Sequence, residues 1–373
     1  MEPDSQSIIY TLFWVISISV LWTFIFNFYR AFPSRKFTLL FNTVFNTFLT
    51  IFVSKVVFAA LLFIEDLYRM MMSAIITYPE RSSVFSFIAL IISVIPLIAF
   101  AFGVTKGKYH YKVRRVKLFL DDLPSNFEGF TITQISDVHS GSFDNPEGVA
   151  KGIKLINEQN SDLFVFTGDL VNNKADEIEP WIELFSQISA PAGKFSILGN
   201  HDYGDYIHWD SPEEKIKNLQ NLKGNHKRLG FKLLLDEHVL IEREGQQIGV
   251  LGVENWGVGF GKRGNLNKAL NGLNPTLIKI LLSHDPSHWD AEVIKRPEHI
   301  HLTLSGHTHG MQFGIELFGF KWSPVKYRYP NWAGLVKENN RYLYVNRGFG
   351  FLGFAGRVGI WPEITVIELR KAN

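Results

Sequence analysis

The stretch 130-FTITQISDVH-139 sets the pattern for the C-terminal part of the chain: an apolar, β-branched run that ends in residues able to bind a metal ion. Four later runs end in the same way: 163-LFVFTGD-169, 195-FSILGNHD-202, 278-IKILLSHD-285 and 301-HLTLSGHTH-309. Runs of this length and composition, bounded by Gly, Asn or Asp, predict buried strands. The intervening sequence predicts helices at 146–158 and 177–188, and further strands at 247–253, 341–346 and 363–369. The pattern predicts an α/β domain whose ligand-type residues gather in loops at the carboxyl ends of strands.

These loops offer carboxylates, imidazoles and one carboxamide but no sulfur, since the chain has no cysteine. Such a donor set suits Mn²⁺, Fe, Zn²⁺ or Mg²⁺. Asp137 and His139 stand two residues apart, so an extended backbone points both side chains the same way, toward one ion. Asp169 stands alone at the end of its strand and is the candidate to bridge two ions. Two ions ~3.5–4 Å apart can hold both a hydroxide and a phosphoryl oxygen.

The first part of the chain has a different composition. Residues 1–105 carry 6 of the 38 Lys and Arg residues and 5 of the 36 Asp and Glu residues. A helix of ~20 apolar residues crosses a bilayer. We therefore predict a membrane domain over residues 1–105, with three transmembrane helices at about 8–29, 37–64 and 84–104. A linker and first strand would follow at 106–127, and a catalytic domain at 128–373.

The distribution of basic residues predicts the topology. Arg30, Arg35 and Lys36 follow the first predicted span, and six Lys or Arg residues follow the third within 106–117. By the positive-inside rule, the N-terminus lies outside and the catalytic domain lies in the cytoplasm, attached to the inner membrane as a multi-pass protein. Two spans within 37–78 instead of one would reverse the side, so the number of spans and the orientation stay open.

Composition excludes several classes of protein. A chain of 373 residues that is 46% hydrophobic and 20% charged is too apolar to be disordered. A formal net charge of +2 gives no preference for nucleic acid, and no nucleic-acid binding is expected. The absence of cysteine excludes disulfides, thiolate zinc sites and a cysteine nucleophile.

The ordered set Asp137-x-His139, Gly168-Asp169, Gly199-Asn200-His201-Asp202, His284 and Gly306-His307-x-His309 resembles the calcineurin-like metallophosphoesterase superfamily. The resemblance covers roughly residues 128–370. The ending 346-NRGFG-350 to Arg357, followed by 362-PEI-364, looks like the YkuE-like branch. The membrane region looks like that of membrane-anchored bacterial members of the Bacteroidetes type. The fold implied is a four-layer sandwich, in which two mixed β-sheets are flanked by helices.

The resemblance also implies roles for individual residues. It implies two sets of metal ligands that share one carboxylate: Asp137, His139, Asp169 and His309 for the first ion, and Asp169, Asn200, His284 and His307 for the second. His201 would be catalytic, protonating the leaving oxygen or stabilising the transition state, and Asp202 would orient it. Two divalent ions, Mn, Fe or Zn, are the implied cofactors, and a metal-bridging hydroxide is the implied nucleophile.

The function expected is that of a membrane-anchored phosphohydrolase that cleaves phosphoester or pyrophosphate bonds. The membrane anchor favours a lipid-linked substrate such as a UDP-acylated sugar. A small phosphodiester is the alternative substrate, and a non-catalytic interaction module on the same scaffold is the alternative function. Arg347 and Arg357 are candidates to bind substrate phosphate, with a structural ion pair as the competing interpretation for both. The sequence does not determine the oligomeric state, and it does not distinguish monoester from diester or pyrophosphate.

Overall fold

A computed structural model describes residues 3–31, 39–76 and 78–372 and divides them into two compact units. The first unit holds three helices: α1 Pro3–Ala31, α2 Leu39–Met72 and α3 Ser83–Thr105. Among the described residues, these three helices are long and apolar enough to cross a membrane. Arg35 and Lys36, on which the predicted orientation partly depends, lie outside the described residues.

The long second helix carries a polar cluster at its C-terminal end. α2 has 34 residues, which is about 50 Å at 1.5 Å per residue and exceeds the ~30 Å hydrocarbon core. Near its end, Asp66 pairs with Arg69 and Arg81, and the Glu65 carboxylate accepts a hydrogen bond from the Ser82 backbone N–H at 2.7 Å. Earlier in α2, the Lys55 ammonium donates to the Ser17 hydroxyl of α1. This contact gives the charge within the span a structural partner.

A short segment from the C-terminal part of the chain belongs to the helical unit. Residues Gly353–Val358 cluster with the three helices. The Arg357 backbone N–H donates to the Gly103 carbonyl of α3 at 3.1 Å, and the Phe354 ring lies 5.8 Å from that of Phe100. Gly103 is needed for this packing, because a Cβ there would lie 2.6 Å from a methyl group of Val358.

The second unit, Lys108–Leu352 with Gly359–Asn373, contains two six-stranded mixed sheets. The first sheet has the order β1 Lys112–Leu120, β14 Glu363–Lys371, β2 Thr131–Ile135, β3 Leu163–Phe166, β4 Lys194–Ser196 and β5 Lys232–Leu233. The second has the order β12 Gly334–Glu338, β13 Arg341–Val345, β9 Leu302–Ser305, β8 Lys279–Leu282, β7 Gln246–Gly252 and β6 Glu237–Arg243. A separate hairpin pairs β10 Ile315–Leu317 with β11 Phe320–Trp322.

Helices cover the sheets. They are α4 Pro146–Asn157, α5 Ile182–Ser186, α6 Pro212–Arg228, α7 Leu266–Leu270 and α8 Ser287–Ala291. The main core combines side chains from both sheets, including Ile132 and Val165 of the first and Ile280 and Leu304 of the second, all fully buried. The predicted α/β sandwich of two mixed sheets flanked by helices is therefore confirmed.

One predicted helix is shorter than expected. The sequence predicts a helix over 177–188, but the chain forms a 3₁₀ segment at Ala175–Trp181 before α5. Pro180 lies within this segment, and a proline lacks the N–H that an α-helix interior requires. The Glu177 carboxylate instead accepts hydrogen bonds from the backbone N–H groups of Asn172, Asn173 and Lys174. The resulting loop lies beside His201, whose Nδ1 contacts the Asn172 carbonyl.

Candidate metal centre

Loops at the carboxyl ends of strands in both sheets bring the predicted ligands together. Asp137 and His139 follow β2, Asp169 follows β3 and Asn200 follows β4 in the first sheet. From the second sheet, His284 follows β8, and His307 and His309 follow β9. Parallel strands end at the same edge of a sheet, so residues far apart in sequence become neighbours.

One group contains Asp137, His139 and His309, whose potential ligand atoms lie within 4.8 Å of one another. The Nε2 atoms of His139 and His309 are 3.0 Å apart, and His309 Nε2 is 3.3 Å from an Asp137 carboxylate oxygen. Asp137 also accepts a hydrogen bond from the His307 backbone N–H. Two imidazole nitrogens and a carboxylate oxygen that converge in this way form a suitable cation site.

The second group contains Asp169, His284 and His307. His284 Nε2 lies 3.1 Å from Oδ2 of Asp169 and 3.3 Å from His307 Nδ1. The same Asp169 oxygen lies 3.5 Å from Nε2 of His139 in the first group. Asp169 is therefore the carboxylate between the two groups, which is the position a shared ligand requires.

Asn200 supplies an observation that favours metal binding. Its Nδ2 donates to the Tyr206 hydroxyl at 2.8 Å, whereas its buried Oδ1 has no hydrogen-bond partner. Burying an amide oxygen without a partner is costly. A divalent cation would satisfy this oxygen, and the set of nitrogen and oxygen donors fits such an ion.

Burial and neighbouring charges determine which protonation states of these side chains are favoured. Burial lowers the pKa of His139 to about 3 and that of His307 to about 4, which keeps both imidazoles neutral, as metal binding requires. Burial also acts to lower the pKa of His284, but the Asp169 carboxylate outweighs it and the pKa is raised. Burial acts to raise the pKa of Asp169, but the charge on His284 holds it well below its usual value. A carboxylate that stabilises a positive imidazole will also stabilise a metal cation.

Backbone strain is concentrated at these loops. Five of the proposed ligands have positive φ angles, between 47° and 69°: Asp137, His139, Asp169, His307 and His309. Few residues other than glycine adopt this left-handed region, and strain of this kind is typical of functional sites. Two glycines allow the loops to approach one another. Gly168 has φ +95°, and a Cβ at Gly199 would collide with the Asp169 carboxylate.

Asp202 is hydrogen-bonded to the backbone of the loops that follow β3 and β4. Its carboxylate accepts four backbone hydrogen bonds, from Gly199, Asp169, Leu170 and Val171, at 2.8 to 3.2 Å. His201 is oriented through its Nδ1, which donates to the Asn172 carbonyl at 2.9 Å. Through these contacts, Asp202 joins the Asp169 and Gly199 loops beneath the site, and its expected role in orienting His201 stays a prediction.

Sequence reasoning missed three supporting side chains. The Tyr206 ring lies 4.4 Å from that of His201 while its hydroxyl accepts from Asn200. Beside the second ligand group, the Tyr329 hydroxyl lies 3.0 Å from Nε2 of His307 and donates to the Asp285 carboxylate at 3.1 Å. Asp285 and Tyr206 stand close in sequence to assigned residues, which is a usable signal. Tyr329 is 22 residues from His307, and only the fold brings the two together.

The two candidate phosphate-binding arginines lie elsewhere. Arg347 is buried, and its guanidinium donates to Glu363 at 2.6 Å and to Glu316 at 2.7 Å. This geometry favours the structural ion pair that was the competing interpretation. Arg357 is fully buried in the segment that packs with α3.

A cavity of about 410 Å³ opens over the metal-ligand groups. Its polar floor includes His139, Asp169, Asn200 and His201. Its walls are largely apolar and aromatic, and they are formed by Phe260, Met311, Pro324, Val325, Tyr329 and Leu352 together with Arg328. The Arg328 guanidinium lies over the Phe260 ring, 4.6 Å from its centroid. The cavity therefore offers a floor of candidate metal ligands and an apolar wall to the same bound molecule.

Comparison with known proteins gives a consistent result. A family model described as probable calcineurin-like phosphoesterase, transmembrane domain, matches residues 3–108, and one described as calcineurin-like phosphoesterase matches residues 130–311. The uncharacterized metallophosphoesterase YkuE of Bacillus subtilis is 32% identical over 254 residues, which cover 67% of this chain and 82% of the relative.

Two further relatives extend the comparison. A Danio rerio protein named transmembrane protein with metallophosphoesterase domain is 27% identical over 75% of this chain, and the match spans 62% of that relative. The phosphodiesterase YaeI of Escherichia coli is 29% identical over 65% of this chain and 83% of the relative.

The four hydrogen bonds to Asp202 predict a structural contribution from this carboxylate. In Asp202→Asn, an amide NH₂ must face two backbone N–H donors. The free energy of unfolding should therefore fall by about 1–3 kcal/mol. We expect a lower thermal unfolding midpoint for the full chain in detergent with EDTA, whereas the exposed Asp210→Asn variant should unfold at the wild-type midpoint. If Asp202→Asn kept the wild-type midpoint and lost only turnover, Asp202 would act through His201 after all.

Proposed function

The chain belongs to the calcineurin-like metallophosphoesterase family and is a metal-dependent phosphoester hydrolase with a membrane domain, and we propose that it cleaves a phosphodiester or pyrophosphate bond in a lipid-linked substrate. The observation that carries the proposal is the position of Asp169 between two groups of imidazole and carboxylate ligands, beneath a cavity with an apolar wall.

We assign seven side chains to metal binding. Asp137, His139, Asp169 and His309 would hold one divalent ion, and Asp169, Asn200, His284 and His307 the other. When bound, such ions supply Lewis-acid chemistry, lowering the pKa of water and neutralising charge on phosphoryl oxygens. The unpartnered Asn200 oxygen and the neutral imidazoles of His139 and His307 support this assignment.

His201 is proposed to act on the leaving group. The Asn172 carbonyl accepts from Nδ1, so that nitrogen carries a proton, and Nε2 is the nitrogen left to interact with substrate. The His201 backbone N–H donates to Asp169 at 2.8 Å, which fixes the residue beside the proposed bridging ligand. A proton donated to the leaving oxygen would therefore come from Nε2.

The shape of the cavity supports an amphipathic substrate. A phosphate group would lie at the ligand floor, while an apolar or aromatic part would contact Phe260, Val325 and Leu352. A substrate held in the bilayer is also accessible to an enzyme anchored there. We propose a lipid carrying a phosphodiester or pyrophosphate headgroup, of the kind that a UDP-acylated sugar represents.

A small soluble phosphodiester is the second candidate substrate. It is favoured by the similarity to the relative that is named a phosphodiesterase. A non-catalytic interaction module is less well supported, because such a module has no need for the complete ligand set with His201. We also propose that the catalytic domain faces the cytoplasm from the inner membrane, on the basis of the basic residues within 106–117.

The assignment of Asp169 can be tested with the full chain in detergent. Asp169→Asn should reduce Mn²⁺-dependent hydrolysis of bis-p-nitrophenyl phosphate to background and lower the bound metal content, since one carboxylate serves both ions. The matched variant is Asp176→Asn, an exposed aspartate of the loop that precedes α5. Wild-type turnover by Asp169→Asn would refute the two-metal proposal, and comparison with p-nitrophenyl phosphate would show which ester class is preferred.

His201 should behave differently from the ligands. His201→Asn is expected to lower kcat by about 10²–10⁴, the usual contribution of a positioned acid or base, while the metal content measured by mass spectrometry stays at the wild-type level. The exposed His208→Asn variant serves as the control. A parallel loss of metal in His201→Asn would make His201 a ligand and overturn its assigned role.

The two candidate substrate classes predict different values of kcat/KM for acylated and unacylated compounds. For the full chain in mixed micelles, kcat/KM should be higher for a UDP-acylated sugar than for the same UDP-sugar without its acyl chains, because the apolar wall then contributes to binding. Leu352→Ser should reduce the rate for the acylated compound more than that for the other. Equal kcat/KM values in the wild type would favour the small phosphodiester.

A further inference from the structure

The β10–β11 hairpin presents an apolar face to solvent. Its register places Ile315 opposite Trp322 and Leu317 opposite Phe320, so these four side chains share one face, while Glu316 and Lys321 share the other. Ile315, Leu317 and Phe320 are all more than half exposed, and Phe318 at the tip is 97% exposed. Apolar side chains clustered in this way on a soluble surface indicate an interaction site.

The turn of the hairpin is unusual in its sequence. Phe318 and Gly319 have φ angles of 50° and 83°, so both central residues are left-handed, as in a type I′ turn. The first position of such a turn favours Asn, Asp or Gly, and a bulky aromatic residue there is strained. The turn therefore holds the most exposed aromatic ring of the hairpin in a conformation that local preferences oppose.

The opposite face of the hairpin is fixed to the catalytic unit. The Glu316 carboxylate accepts from Arg114 of β1 at 2.6 Å and from Arg347 at 2.7 Å, and Arg347 also donates to the buried Glu363. Lys321 donates to the Ala333 carbonyl at 2.5 Å. The hairpin is thus held on its polar side, and its apolar side has a fixed direction.

Two short covalent connections join the helical unit to the unit that carries the hairpin. At the first, the catalytic unit begins at Lys108, three residues after α3 ends at Thr105. At the second connection, Val358 is the last residue of the segment that clusters with the helices, and Gly359 follows it. A Cβ at Gly359 would collide with the carbonyl of Gly314, the residue just before β10.

The residues that flank the hairpin suit the boundary between lipid and water. Lys326 and Tyr327 follow it and are exposed, and Lys112 of β1 is exposed on the strand face that also carries Arg114. Aromatic and basic side chains together are typical of membrane interfaces, where the basic ones attract anionic headgroups. Met311 before the hairpin and Pro324, Val325 and Arg328 after it line the cavity, so the hairpin rises from the cavity rim.

We propose that the apolar face of the β10–β11 hairpin, with Phe318 at its tip, inserts into the headgroup and acyl boundary of the bilayer that the chain's own helices span. The cavity mouth then opens at the lipid surface. The insertion itself does not depend on the proposed substrate or on catalysis. If the proposed function also holds, the hairpin sets the depth at which a lipid-linked phosphate reaches the metal ligands.

The absence of cysteine makes a direct test available. Single variants Phe318→Cys and Phe320→Cys of the full chain would carry a nitroxide label in vesicles of phosphatidylcholine and phosphatidylglycerol. The matched control is Ile216→Cys on α6, since Ile216 is an isoleucine with 58% exposure. We expect labels on the hairpin to collide more with oxygen and less with a water-soluble nickel complex than the control label does.

Two results would overturn the proposal, and a separate measurement checks that the variants are folded. Equal nickel accessibility at 318, 320 and 216 would overturn the proposal. Spin–spin broadening at 318 that disappears on dilution with unlabelled protein would overturn it in favour of a second copy as the occupant. Hydrolysis of bis-p-nitrophenyl phosphate at the wild-type rate would show that the labelled variants are folded, and the label readout stands even where the substrate proposal fails.

A second variant separates turn stability from lipid contact. Phe318→Asn suits the left-handed turn and should leave the thermal midpoint unchanged or raised. In the Phe318→Asn background, the label at position 320 is expected to collide less with oxygen and more with the water-soluble nickel complex. A label that kept the same lipid contact without the Phe318 ring would remove Phe318 from the proposed insertion.

Discussion

The carboxylate of Asp169, removed from water between two groups of imidazoles, is the interaction on which the site depends. One of its oxygens lies against both His139 and His284, and the other accepts the His201 backbone N–H. Burying a carboxylate costs several kcal/mol unless positive charge and hydrogen bonds compensate. That compensation comes from loops of both sheets, so neither sheet alone would form the site. The face-to-face packing of the sheets is therefore a condition for the chemistry as well as a source of stability.

A second buried carboxylate makes this arrangement rigid. Asp202 collects four backbone N–H groups from the loops after β3 and β4, which would otherwise be unsatisfied donors in the interior. The loops after β2, β3 and β9 hold five proposed ligands at positive φ. Left-handed backbone at five ligands costs free energy, and the hydrogen bonds made by Asp202 are among the interactions that offset it. The ligands are consequently held in place by the scaffold, as a preorganised site requires.

The parts of this arrangement that the sequence predicts are those with a local signature. Each strand end and the one or two proposed ligands that follow it can be identified in a window of about ten residues, and the three apolar helices follow from length and charge alone. The partner of His201 could not be predicted, because the Asn172 carbonyl is a backbone group that any residue would supply. The burial of Arg347 against Glu363 and Glu316 also depends on strands distant in sequence. Pro180, by contrast, was a visible signal against a continuous helix over 177–188.

The cavity and the hairpin lead to related conclusions from separate observations. The cavity combines a floor of metal-ligand side chains with an apolar wall, which suits a molecule with one charged end and one apolar end. The hairpin exposes apolar side chains that a water-soluble enzyme would be expected to bury, and it does so at the rim of that cavity. A soluble phosphodiester, the second candidate substrate, would require neither feature. A substrate with its phosphate at the membrane surface requires a site that opens at that depth, and an apolar hairpin at the rim is a direct way to provide it.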